Sequence, residues 1–353
     1  MRSEADIIAR LAREIPSRIG VRHPADVPVG IGDDAAVVRA PRGRDWVVST
    51  DAFIEGRHFL TRIHLPEQAG FKALARATSD LAAMGAQPRY FLLTLALPFQ
   101  KAGNWLDEFA CGMARAARMF QMRLIGGDVS RDDHVAAAVT VMGEAPRSGG
   151  LTRSGGRAGD AIYVSGRLGA AQAGLETLLC EGARALSRYA DSYSLTRHLY
   201  PQPRLAIGRL LAERGLASAA MDISDGLSTD LARLCAASHT GAVIYAGLLP
   251  IARDIRLETP RGGSRGKSTS QLRRALHGGE DYELLFTVPR RKASRMPSHF
   301  HGVPITRIGE LTSRRAILLD SSGRTRPLRP LGWDHFAQAS GARRRPRAQP
   351  RPL

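Results

Sequence analysis

The stretch "AAMDISDGLSTDLARLCAAS" (219–238) decides the fold class. Its opening "AAMDIS" is an apolar run of strand length, and "LSTDLARLCAAS" from Leu227 repeats apolar residues at helical spacing. Asp222 and Asp225 straddle the strand end and the helix start. Junctions of this kind are where α/β proteins build ligand sites. With Asp230 they place three carboxylates in ten residues of a chain whose formal net charge is +18. Similar acidic knots occur at Asp33 and Asp34 in "GIGDDAAVV", Asp51 in "VVSTDAF", Asp80 in "ATSDLAAMGA" and Asp128 in "LIGGDVS".

Outward from that junction the alternation continues. "AIYVSG", "GAVIYA", "YELLFTVP" and "ITRIGEL" read as strands, and "AAQAGLETLL" and "PQPRLAIGRLLAER" as helices. Upstream, "DWVVST" (45–50) predicts a strand ending just before Asp51. "PEQAGFKALARATSDLAAMGA" predicts a helix with Pro66 at its first position. "YFLLTLAL", "MRLIGG" and "HVAAAVTVMGEA" predict further strands, with a helix from Asn104 capped by that Asn. The pattern implies α/β or α+β layers and excludes an all-β or all-helical chain. The Gly- and Arg-rich run at 146–160 marks a boundary or a functional loop. We therefore expect an N-terminal α/β domain at 1–147, a C-terminal α/β domain at 148–340, and a basic disordered tail at 341–353.

Composition agrees with this division. At 353 residues and 43% hydrophobic, the chain has material for two cores. The longest apolar stretch, "YFLLTLALPF" (90–99), falls short of the roughly 20 residues that span a bilayer, and the N-terminus carries acids where a signal peptide is basic then apolar. A cytoplasmic protein is expected. Cys111, Cys180 and Cys235 are scattered and form no CxxC, so they imply neither disulfides nor a zinc site. Much of the positive charge sits in 261–274 and in the tail, with no aromatic residues interleaved, which argues against a nucleic-acid partner. "GGSRGKST" (262–269) imitates a phosphate-binding loop but has Arg261 where the first Gly belongs, and no strand precedes it. It reads as a flexible insertion.

Single acids have ordinary explanations. Asp225 suits a helix N-cap, and Asp80 suits an ion pair with Arg76 one turn earlier. The set as a whole, with Ser49, Thr50 and Ser224 adding hard oxygens, is what several Mg²⁺ ions need, since Mg²⁺ takes one or two carboxylates and completes its shell with water and phosphate oxygens. No His or Cys cluster competes for a softer metal.

The motifs "GIGDDAAVV", "STDAFIEGRHF", "SDLAAMGAQPRYFLLTLALP", "LIGGDVS", "LTRSGGRAGDAIYVSG", "MDISDGLSTDLARL", "HGGEDYELLFTVP" and "GWDHF", in this order, resemble the thiamine-monophosphate kinase family from about Ile31 to Phe336. "GDDAA" and "ISDGL" are shared with a wider superfamily that includes aminoimidazole ribonucleotide synthetase and selenophosphate synthetase. The resemblance implies two α/β domains, the first pairing with a second copy so that two sheets close a barrel in a homodimer. It also implies ATP-dependent phosphorylation of thiamine monophosphate with Mg²⁺. Metal-binding positions then fall on Asp33, Ser49, Thr50, Asp51, Asp80, Asp128, Asp222 and Asp225, the catalytic set being Asp51, Asp80 and Asp128. Gly127, Asp128, Arg153 and Ser224 fall on nucleotide positions, and His58, Glu280 and Trp333 on substrate positions.

Residue by residue, alternatives stay open. His58 is a substrate contact or structural, Trp333 a stacking ring or a core anchor, and Arg153 a phosphate clamp or a solvated loop residue. Glu280 and Asp281 are interchangeable at this stage. Arg57 departs from the small apolar residue expected before His58. Another ATP-using enzyme of the superfamily, or more distantly a basic nucleic-acid-binding protein on the same fold, is the competing reading. No nucleophile is required, because the acceptor is already an ionised phosphate oxygen and transfer depends on alignment and charge stabilisation.

Overall fold

The computed structural model describes residues 10, 13–15, 42–146, 150–253 and 264–334, with only the backbone of 264–268. Asp33, Asp34, the tail from 341 and the last two residues of "GWDHF" lie outside the described residues.

The first domain is built on β1 (Arg44–Ile54), α1 (Pro66–Ala83), β2 (Gln87–Leu97), α2 (Asn104–Phe120), β3 (Arg123–Arg131) and β4 (Ala136–Pro146). Its four strands form one sheet in the order β1-β4-β2-β3. β1 and β2 pair antiparallel with β4, and β3 joins β2 in parallel after the α2 crossover. In the single chain this sheet is open and does not close as a barrel. Period-two alternation divides its faces: Phe53, Phe91, Leu93, Leu95, Val139 and Val141 point into a core under α1 and α2. The other face carries Trp46, Tyr90, Leu92, Ile125 and Met142.

The α1 helix starts at Pro66, with the Gln68 side chain accepting the Leu65 amide at 2.9 Å. It crosses α2 so closely that a Cβ at Gly70 would collide with the Phe109 carbonyl, and one at Gly112 with the Glu67 carbonyl. Glycine is required at both points. The expected Asn cap of α2 is corrected: Gly103 is the cap, and Asn104 is already the first helical residue. Asp51, expected just past a strand, lies inside β1, because strand pairing with β4 continues to Ile54 and Ala136.

The second domain comprises β5 (Ala161–Ser165), α3 (Ala170–Glu181), α4 (Arg184–Arg188), α5 (Tyr193–Leu199), α6 (Leu205–Glu213), β6 (Ala219–Ile223), α7 (Leu227–Ala237), β7 (Gly241–Tyr245), α8 (Ser264–His277), β8 (Glu283–Val288), β9 (His299–Phe300), β10 (Val303–Thr312), β11 (Ile317–Ser321) and β12 (Arg324–Pro327). Seven strands run in the order β12-β11-β7-β10-β5-β8-β6, with β9 added to β10. Both faces of this sheet are covered. On β8, Leu285 joins a core with α7 and α8, while Leu284 and Phe286 join another with α6. That second core also contains Ala82 and Ala83 of α1, so a helix of the first domain is built into the second.

The flexible insertion expected at 262–269 is corrected from Ser264 onward, where the chain forms α8. Ala275 and Leu276 are buried in the second-domain core, Leu272 packs against it, and Arg274 pairs with Glu176 of α3 at 2.7 Å. The buried face occupies only the last turns, so the polar start hid it from a periodicity reading.

Candidate functional site

A cleft of about 380 Å³ lies where the two domains meet. One side of it is a stripe of α1, from which Arg76 and Asp80 line the cleft. Lys72, Arg76, Ser79 and Asp80 stand at spacings of four, three and one, which brings them to a single helix face. From there each reaches another element. Lys72 Nζ lies 2.8 Å from Glu280 Oε2 and is 1% exposed. Arg76 Nη2 is 3.5 Å from Asp51 Oδ2 of β1. Ser79 Oγ donates to Asp222 Oδ2 of β6 at 2.7 Å, and Ser49 Oγ of β1 donates to Asp80 Oδ2 at 2.5 Å.

Two carboxylates from different domains thereby crowd one another. Burial pushes the pKa of Asp222 up, and the charge of Asp80 adds to it. Asp80 is raised in turn, first by burial and then by Asp51, against the hydrogen bond from Ser49. Like charges held this close require a cation or a proton between them.

At the junction first quoted, Asp225 lines the cleft but is not the helix cap. Asp230, buried in the first turn of α7, reaches back to accept the amides of Asp225 and Gly226, both at 3.0 Å. Arg233 bridges Asp225 and Asp230 at 2.6 and 2.8 Å. Burial, with the charge of Asp225 behind it, pushes Asp230 up to about 7.

The loop before β8 closes the far side. The Glu280 amide donates to the Ser224 carbonyl at 2.7 Å and that of Tyr282 to Ile223 at 2.9 Å. Glu280 and Tyr282 both adopt positive φ, +67° and +49°, a strained conformation for such side chains. Burial would raise the Glu280 carboxyl, but Lys72 and His198 hold it well below the usual range. His198 Nδ1 is 3.2 Å from Glu280, and His198 Nε2 is 3.1 Å from Nε2 of His64. Burial and then Lys72 push His64 down to about 3, so it is neutral. Asp281 turns the other way and accepts the Gly169 and Ala171 amides at the start of α3. Of the two acids left interchangeable by sequence, Glu280 is the one in the cleft.

His58 and Trp333 also line the cleft. Trp333 is held by its amide on the Asp225 carbonyl at 2.9 Å, while its side chain is among the exposed large hydrophobics at 48%, so it is not a core anchor. Ser224 is part of the wall, and the charge of Arg153 reaches both Asp80 and Asp222. Three of the expected residues are not among those lining the cleft. Thr50 points to the other face of its sheet, where it meets Thr140 at 3.0 Å, and Gly127 and Asp128 are exposed on β3 away from the lining residues. Among the described residues, no three of His, Cys, Asp and Glu are grouped tightly enough to enclose a metal ion. Lys72, Arg76, His64, His198 and Tyr282 were not singled out from sequence as site residues. The signal for the first two was present: charges at every fourth position in "KALARATSD", within an otherwise apolar helix.

Residues 32–145 match the family model for the N-terminal domain of AIR synthase related protein, and residues 157–319 the model for its C-terminal domain. The chain is 40% identical over 316 residues to a thiamine-monophosphate kinase of Escherichia coli (strain K12), covering 88% of this chain and 93% of that one. It is also similar to the crystal structure of a thiamine-monophosphate kinase from Stenotrophomonas maltophilia K279a, with a TM-score of 0.76 and 34% identity over 89% of this chain and 97% of that one. A structure described as AaThiL complexed with AMPPCP and TMP matches with a TM-score of 0.72 and 31% identity, covering 84% and 89% of the two chains.

Proposed function

The chain belongs to the AIR synthase related family and, within it, to the thiamine-monophosphate kinases, and from that premise we propose that it transfers the terminal phosphoryl group of ATP to thiamine monophosphate. The bond from the γ-phosphorus to the β,γ-bridging oxygen breaks, a phosphate oxygen of the acceptor bonds to that phosphorus, and ADP and thiamine diphosphate leave. The observation that carries this reading is the meeting of Asp80 and Asp222, one from each domain, in a cleft also walled by Asp51 and Asp225.

Magnesium fits this donor set. The oxygens are hard, the buried acids crowd one another, and an ion that keeps water and phosphate oxygens does not need a closed protein cage. Asp51, Asp80, Asp222 and Asp225 would hold it, with Ser49 beside Asp80; the family resemblance adds Asp33, Thr50 and Asp128, of which Thr50 turns its side chain to the other sheet face and Asp128 is not among the lining residues. Bound there, Mg²⁺ supplies charge neutralisation between two phosphate-bearing reactants.

The chain's own groups do the rest. Arg153 and Ser224 serve the nucleotide, and the family resemblance adds Gly127 and Asp128, exposed on β3 outside the lining of this cleft. Glu280, kept ionised by Lys72, and His58 serve the acceptor, and the half-exposed ring of Trp333 offers its face to the cationic thiazolium. Val48 and Ile54, exposed on the other face of the first sheet, suit pairing with a second copy, which would cover them. The need for ATP suits a cytoplasmic location, and no described helix is long and apolar enough to cross a membrane.

Incubation of the purified chain with ATP, Mg²⁺ and thiamine monophosphate tests the reading. Thiamine diphosphate and ADP should form in equal amounts. ATP turnover that needs a different acceptor would replace it with another activity of the superfamily.

A further inference from the structure

Two arginines of the cleft keep donors or charge that the described residues leave unsatisfied, although Arg76 also has Tyr282 as a hydrogen-bond partner. Arg76 stands on the α1 stripe with its side chain 11% exposed, and its one ion-pair contact, with Asp51, is 3.5 Å long. A charge-assisted hydrogen bond is roughly 2.7–2.9 Å. Its Nε and Nη1 are buried and have no hydrogen-bond partner. Leaving donors of a buried cation unsatisfied is costly, which favours an anion brought in from outside. Arg57 lines the same cleft, on a turn pinned by the amides of Arg57 and His58 to the Ile54 carbonyl at 3.1 and 2.9 Å. Among the described residues, no carboxylate pairs with its exposed guanidinium.

The two share a location. The Arg76 guanidinium carbon lies 5.6 Å from the centre of the Phe53 ring, and the His58 ring packs 6.1 Å from that same centre. Arg57 precedes His58 directly, so both cations belong to the His58 side of the cleft.

We propose that Arg57 and Arg76 form a subsite for the phosphate group of the acceptor. The inference rests on the kinase reading and deepens it. Thiamine monophosphate has a cationic ring system at one end and a phosphate at the other. Two guanidinium groups draw in the phosphate and repel the thiazolium, so they fix which end enters first. The phosphate then lies beside Asp51, where Arg76 offsets part of the carboxylate charge that would otherwise repel it. The rings are left for the region lined by Trp333, Leu175 and Leu179.

The test compares thiamine monophosphate with unphosphorylated thiamine, using calorimetric binding to the full chain with Mg²⁺, together with KM values for thiamine monophosphate and ATP. Arg57→Gln and Arg76→Gln should each weaken thiamine monophosphate roughly 10- to 100-fold, the usual worth of a charge-assisted hydrogen bond. Thiamine binding and the KM for ATP should change less than about threefold, within ordinary context effects for a group that does not touch them. Arg76→Lys should recover part of the loss. Should Arg76→Gln melt early, Arg57→Gln, at an exposed position, decides alone.

Equal losses for the two ligands, a selective rise in the KM for ATP, or unchanged binding of thiamine monophosphate would each overturn the subsite. If the variants keep the wild type's strong preference for thiamine monophosphate over thiamine, only this inference falls. If the wild type has no such preference, the kinase reading falls with it.

Discussion

Trp333 illustrates what a residue's surroundings add to its identity. Its position in "GWDHF" allows a core anchor or a stacking ring, and its 48% exposure beside the cleft leaves the second. Trp333→Ala should therefore raise the KM for thiamine monophosphate roughly 5- to 100-fold, as loss of a cation–π contact and its area predicts, and lower the melting temperature only slightly. Steady-state kinetics and calorimetry read the two effects separately; a large melting shift with equal KM changes for both substrates would return the ring to the core. Asp80 makes a sharper case, because removing a group that stabilises transition-state charge commonly costs roughly 10²-fold or more. Asp80→Asn should lower kcat by at least that factor while the protein stays folded by circular dichroism, and near-normal turnover would count against its role. That Asp51, Asp80, Asp222 and Asp225 come together was legible. Their division of labour was not: Asp225 carries the N-cap signature, yet Asp230, five residues on, takes the amides, since only the turn's geometry decides which carboxylate folds back.

At the scale of elements, α1 joins the domains through side chains that sequence shows as scattered charges. Its apolar period and Pro66 start were readable; that Lys72 would be almost fully buried was not, because its partner Glu280 is 208 residues away. The α8 error has the same root, a buried face too short to impose a period. The start of β8 shows how long-range pairing governs stability. Glu283 is fully buried, accepts Arg204 Nε at 2.6 Å and lies 3.2 Å from Arg197. Burial would raise its carboxyl, but Arg204 and Arg197 outweigh that and hold it below the ordinary glutamate value. A folded pKa below the unfolded one contributes stability above about pH 4.3, lost as pH falls through the folded value. Melting temperature should accordingly drop on acidification through that range, and Glu283→Gln should flatten the drop. The substitution should also cost about 3–5 kcal/mol at neutral pH by leaving two buried arginines without their carboxylate. Denaturant titrations across pH check both; a Gln variant as stable as the wild type at pH 7 would show that the pair contributes no net stability.

At the scale of the whole molecule, the two-domain α/β organisation was legible from alternation alone, but which sheet face the helices cover was not, since strands read the same whatever packs on them. The second sheet is buried on both faces, whereas among the described residues the first has helices on one. Its other face groups Trp46, Tyr90, Leu92, Ile125 and Met142, and on β1 Val48 and Ile54 are 57% and 39% exposed. Tyr90 and Ile125 are themselves buried, so the exposed apolar surface is centred on β1; apolar residues exposed in this way suit an association site, and an isologous pairing of this face with itself would bury them in both copies at once. A stable interface of this type buries roughly 1,200–2,000 Å² in total, an area that two four-stranded faces can supply. Light scattering should find a dimer at micromolar concentration. Val48→Glu with Ile54→Glu should convert it to monomer, because charges on both partners would meet across a water-excluded face. Both side chains point away from Phe53 and the core beneath it, so the variant should keep its secondary structure, although the monomer should melt earlier once mass action no longer supports the fold. A wild type that runs as a monomer, or a double variant that remains dimeric, would place the partner on some other surface and leave this face to a different occupant.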